Sequence, residues 1–63
     1  MKYTEIIERI DKLDKSKIII RDYISKSFSQ ISLIYDGVRQ FDLRRPQMDK
    51  LELLGYDVER IVN

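Results

Sequence analysis

The sequence predicts an all-α fold, a small helix-turn-helix bundle of about five short helices that spans residues 1–63 as a single domain. Ile6, Ile7, Ile10 and Leu13 recur at helical spacing. A second apolar series, Ile20, Ile24, Ile31 and Ile34, meets the fixed offsets that two helices need to pack across a short turn. Pro46 and Gly55 bracket a third amphipathic stretch, as helix start and helix stop.

The helices are expected near 4–13, 17–24, 28–35, 47–54 and 57–62. Thr4 is placed to cap the first, and Glu5, Glu8, Arg9 and Lys12 give it a charged outer face. Asp14-Lys15-Ser16 breaks the pattern, and the Ser16 hydroxyl can cap the second helix, where Ile20, Tyr23 and Ile24 share a side. Ser25-Lys26-Ser27 is a polar break, with Ser27 as the cap of the third helix and Gly37 as its end. Met48, Leu51 and Leu54 repeat along the fourth helix, and Asp57 starts a fifth containing Val58, Ile61 and Val62. The expected core is Ile6, Ile10, Ile20, Ile24, Ile31, Ile34, Leu51 and Leu54.

A different reading of the middle stays open. Ile31, Leu33 and Tyr35 alternate, Asp36-Gly37 has the chemistry of a tight hairpin turn, and Ile18-Ile19-Ile20 is β-branched. On that reading a hairpin occupies residues 29–44. Even on the helical reading, "VRQFDL" leaves room for one short strand near 38–44.

Ser16 to Arg39, "SKIIIRDYISKSFSQISLIYDGVR", resembles the Cro/repressor family of phage-type helix-turn-helix proteins. Ile31-x-x-Ile34-Tyr35-Asp36-Gly37-x-Arg39 is similar to the exit of that family's recognition helix, often written I-x-x-I-E-N-G-x-R, and "LELLGYDVERIV" is similar to its last helices. Arg21 stands where the family prefers a small residue, Ser25 replaces the turn glycine, and the segment from Gly37 to Pro46 is long.

The resemblance implies a sequence-specific transcriptional regulator that occludes an operator on double-stranded DNA, as a homodimer reading two half-sites. It would present Ser27, Phe28, Ser29, Ser32 and Leu33 to the major groove. Lys17, Lys26, Arg39, Arg44 and Arg45 suit phosphate contacts. The base-facing set lacks Arg, Asn and Gln, which favours an alternative: a protein-binding inhibitor or antirepressor using Phe28, Leu33 and Tyr35 as an apolar patch on the same scaffold.

Composition narrows the field. The chain is 63 residues long with net charge +1, 43% hydrophobic and 37% charged residues, which suits a small globular domain. The segment Lys15–Arg45 is net basic and both flanks are net acidic. There is no Cys and no His, so disulfides, thiolate chemistry and the usual neutral-pH proton shuttle are missing. Catalysis, a metal and a cofactor are accordingly not expected. The carboxylate pairs Glu5/Glu8 and Asp11/Asp14 read as solvated helix surface, and Tyr3, Tyr23, Tyr35 and Tyr56 as packing residues rather than a stacking set for single strands. The longest apolar run is Ile18–Ile20 and the start lacks a signal-peptide core, so a cytoplasmic location is expected, away from the membrane.

Overall fold

Ile31, Leu33 and Tyr35 alternate along an extended strand, and the chain reverses immediately after them. In the computed structural model, which describes every residue from Met1 to Asn63, Asp36 and Gly37 both have positive φ, 51° and 81°. Two successive left-handed residues make the tight turn whose twist matches a hairpin. Tyr35 and Val38 pair on either side of it.

The elements run α1 (Tyr3–Ile10), a 3-10 turn (Lys15–Lys17), β1 (Ile18–Ile24), β2 (Ser29–Tyr35), β3 (Val38–Leu43), α2 (Arg45–Leu53) and β4 (Val58–Val62). The four strands form one sheet in the order β3-β2-β1-β4. β1, β2 and β3 are antiparallel neighbours, and β4 runs parallel to β1.

The all-α bundle is therefore corrected to a mixed α/β fold. The segments expected as helices at 17–24, 28–35 and 57–62 are β1, β2 and β4. The extended piece expected at 38–44 is β3. The physical reason is visible in β1 and β2. Their Ile, Tyr and Ser residues satisfy a period of two as well as a helical offset, and β-branched side chains prefer the pleated surface. Pairing puts Ile20 opposite Leu33 and Ile18 opposite Tyr35, so one side of the hairpin is continuously apolar. A helix would have left Leu33 facing water; the sheet buries it completely.

Both α-helices cover that apolar side. The core cluster is Ile6 and Ile10 from α1, Met48 and Leu51 from α2, and Ile18, Ile20, Ile31, Leu33 and Leu43 from the sheet. Three residues expected in the core lie elsewhere. Leu54 is 64% exposed, Ile24 is half-buried, and Ile34 is buried outside this cluster. Ile34 lies one residue along from Leu33, so its side chain points to the opposite face of the sheet.

The helix ends follow local chemistry. Glu5 accepts from the Lys2 backbone N–H at the start of α1, and Gln47 accepts from that of Arg44 at the start of α2. Pro46 sits in the first turn of α2, where its missing N–H is no loss. At the other end Gly55, φ 99°, donates to the Glu52 carbonyl, and Tyr56 donates to that of Leu51. These two hydrogen bonds around a left-handed glycine close the helix. It also folds Tyr56 back against the core.

Candidate binding face

The other face of the sheet has no helix over it. Along β1 it presents Ile19, Arg21 and Tyr23; along β2 it presents Gln30, Ser32 and Ile34. On β3 the alternation is interrupted. Leu33 pairs with Phe41, and Ile34 pairs with Arg39, so Gln40 is an extra residue without a partner on β2. Such a bulge shifts the parity of the strand. Arg39 and Asp42, three residues apart, thereby reach the same face, where they form an ion pair at 2.8 Å.

Arg21, Tyr23, Gln30, Ser32, Ile34, Gly37 and Arg39 together line a hollow of about 270 Å3 on this face. Arg21 Nε lies 3.4 Å from Glu59 of β4, but it is buried and makes no aligned hydrogen bond. Arg39 donates from Nε and one terminal nitrogen to the two oxygens of Asp42. The Ser32 hydroxyl also donates to Asp42, at 2.9 Å. Burial pushes the Asp42 carboxyl up, but the bonds from Ser32 and Arg39 and the nearby guanidinium outweigh it and hold the group below its ordinary value.

One end of the face is aromatic. Phe28, in the turn between β1 and β2, stacks on Tyr23 with ring centres 5.7 Å apart and planes 23° apart. The Asn63 amide donates to the Tyr23 hydroxyl. Phe28 is 52% exposed. The turn beneath it is built on Ser25, whose hydroxyl accepts from the backbone N–H of Ser27 and of Phe28.

The residues expected to touch DNA are dispersed by this fold. Ser27 and Phe28 lie in the β1–β2 turn with Lys26, and Ser29 opens β2. Leu33 is sealed in the core, so it belongs neither to a reading head nor to an apolar docking patch. Ser32 lies on the open face, bonded to Asp42. Lys17 and Arg39 lie toward the Asp36-Gly37 end of the sheet, while Lys26, Arg44 and Arg45 lie toward the other. A seven-residue strand separates those ends by roughly 20 Å.

Arg45 has a different role altogether. Its guanidinium bonds both oxygens of Asp22 at 3.2 Å and also approaches the Ser29 hydroxyl. Asp22 is fully buried, on the helix-covered side of β1 with Ile18 and Ile20. Arg45 is thus a structural counter-ion for a buried carboxylate. Arg44 precedes it as the N-cap residue of α2.

Arg21, Tyr23 and Gln30 were not among the residues expected to form a site, although they line the hollow. Their signal lies in the same alternation that marks the core. Polar Arg21 and Tyr23 flank Asp22, and Gln30 and Ser32 flank Ile31. No group of three or more acidic side chains is placed to hold a metal ion, and no helix is long and apolar enough to cross a membrane. Comparison of the chain with known protein families, with curated proteins and with solved structures yields no match.

Proposed function

We propose that the chain is a non-catalytic binding module, acting in the cytoplasm, that docks a protein partner through the open face of its sheet. The observation that carries this is the character of the uncovered face. It combines a stacked Tyr23–Phe28 pair, two arginines and a polar hollow. Aromatic residues and arginine are the types that dominate protein–protein contacts. Each arginine there is balanced by a carboxylate, Arg21 by Glu59 and Arg39 by Asp42. A face neutralised in this way suits a mixed-charge protein surface better than a polyanion.

The test is a photo-crosslinking side chain placed at Gln30 on the open face or at Glu8 on the outer face of α1, in cells of the native host. A discrete protein adduct from position 30 and none from position 8 is expected. Capture of nucleic acid at position 30, or of protein at position 8 alone, would overturn the proposal.

A second reading is duplex DNA binding by a homodimeric regulator, without a recognition helix. Lys17, Lys26 and Arg44 favour it, since all three are exposed and none takes part in the ion pairs of the protein. Phosphate contacts of this kind weaken steeply with salt. Fluorescence anisotropy with mixed-sequence duplex at two salt concentrations tests it, and the absence of binding at low salt ends it.

A further inference from the structure

We propose that the hollow on the open face is a receptor for one carboxylate, the side chain of an Asp or Glu carried by the docking partner. This rests on the reading of that face as a protein-docking surface and names the chemistry it selects.

Nothing acidic lines the hollow; its walls are Arg21, Tyr23, Gln30, Ser32, Ile34, Gly37 and Arg39. Several donors there are uncommitted. Arg21 turns its buried Nε toward Glu59 at 3.4 Å without an aligned hydrogen bond, and its terminal nitrogens take part in no hydrogen bond. Arg39 spends Nε and one terminal nitrogen on Asp42, which leaves its other terminal nitrogen free. Tyr23 accepts from Asn63 through its hydroxyl oxygen, so its own O–H remains available. Ser32 and Gln30 are committed as donors, to Asp42, which also takes two of the Arg39 nitrogens.

The carboxylates that balance the arginines do not line the hollow. Glu59 reaches Arg21 from β4, and Asp42 reaches Arg39 from β3. They steady the two guanidiniums from outside the hollow, with Asp42 at its rim. The bulge at Gln40 is what brings Arg39 to this face at all. Guanidinium forks match a carboxylate in geometry as well as charge. The balanced face limits the site to one such group, since a chain of phosphates would meet Glu59 and Asp42 as it extended beyond the hollow.

Arginine Nε–H resonances of the 15N-labelled protein report on the hollow directly. The probes are a five-residue blocked peptide with one central Glu, its Gln counterpart, inorganic phosphate and an oligothymidylate, each at constant ionic strength. The Glu peptide is expected to shift Arg21 and Arg39 saturably, with Arg44 as an unmoved control, while the Gln peptide leaves both in place. Arg21→Gln and Arg39→Gln should each weaken the Glu peptide by about tenfold or more. Arg21→Lys, which keeps the charge and loses the fork, should fall between. Backbone spectra of the variants establish that the fold is kept.

Equal responses to the Glu and Gln peptides would overturn the proposal, as would equal movement of Arg44. So would tighter binding of phosphate or oligothymidylate than of the Glu peptide. Any of these results, paired with a protein adduct at position 30, removes the carboxylate site and leaves the docking face standing.

Discussion

Leu33 and Ser32 are neighbours on β2 and face opposite ways, and the contrast extends over the whole sheet. On the covered side, Ile18, Ile20, Ile31, Leu33 and Leu43 pack against Ile6, Ile10, Met48 and Leu51. The one charge buried in that side, Asp22, is met by Arg45. On the open side the ion pairs Arg21–Glu59 and Arg39–Asp42 join half-exposed side chains. The covered face carries the stability, because apolar burial scales with area removed from water. Exposed ion pairs add little, about 0–1 kcal/mol each. The open face is thus free to be specialised for contact at small cost to the fold.

The largest test of this division is Leu33→Ala. It should cost about 2–5 kcal/mol, which approaches the whole stability of a domain this small. Ser32→Ala, one residue away, should cost no more than about 1 kcal/mol. Urea denaturation of the two variants measures the gap, and equal midpoints would mean that the faces are wrongly assigned.

Arg45→Met comes next. It strands the buried Asp22 carboxylate, at about 3 kcal/mol for a broken buried pair, somewhat less because Arg45 itself is half-exposed. Removing the charge as well, in Asp22→Leu with Arg45→Met, should recover most of that loss. If the double variant is no better than Arg45→Met, the carboxylate is not what Arg45 protects. Gly37→Ala is smaller. No atom lies within 4 Å of an added Cβ, so the cost is the positive φ alone, roughly 1 kcal/mol. That is a fall of about 4–8 °C in melting temperature for a domain of this size.

The smallest effect is titration. The Asp42 carboxyl is held below its ordinary value despite the opposing pull of burial, and the hydrogen bond from Arg60 lowers that of Glu52. A depressed folded-state pKa gives stability that is present above the unfolded pKa and lost as pH falls through the folded one. Stability should therefore decline below about pH 4. Asp42→Asn should flatten that decline by a few tenths of a kcal/mol, as read from melting curves across acid pH.

Part of this fold is legible in the sequence. The spacing of Ile6 and Ile10 marks α1, and Pro46 with Gly55 brackets α2, because capping chemistry is local. The middle misleads for a physical reason. Ile31 and Ile34 are both buried, which matches a helix face, yet they are buried on opposite sides of a strand. Any segment with a burial demand on both faces loses its period of two. The decisive local sign was Asp36-Gly37 following an alternating run. On the open face, Phe28, Ser32 and Arg39 stand out as residues, but their assembly does not. It depends on the Gln40 bulge, and nothing in "VRQFDL" announces an unpaired residue. Arg45 looks like a phosphate contact because its partner Asp22 is distant in sequence.

The parallel strand β4 has a protective consequence. β1 holds three consecutive isoleucines and a tyrosine, the composition of a self-pairing segment. Without β4, its edge would offer unpaired N–H and C=O groups to another chain. β4 occupies that edge: the Ile20 N–H bonds the Asp57 carbonyl, and the Asn63 N–H bonds the Ile24 carbonyl. The Arg60–Glu52 pair fastens the strand to α2. Glu59 and Arg60, both exposed, place charge along the new edge in place of isoleucine. The last strand thus acts as a guard against aggregation, and a chain that lost its grip there would be expected to assemble into fibrils through "IIIRDYI" before it unfolded elsewhere.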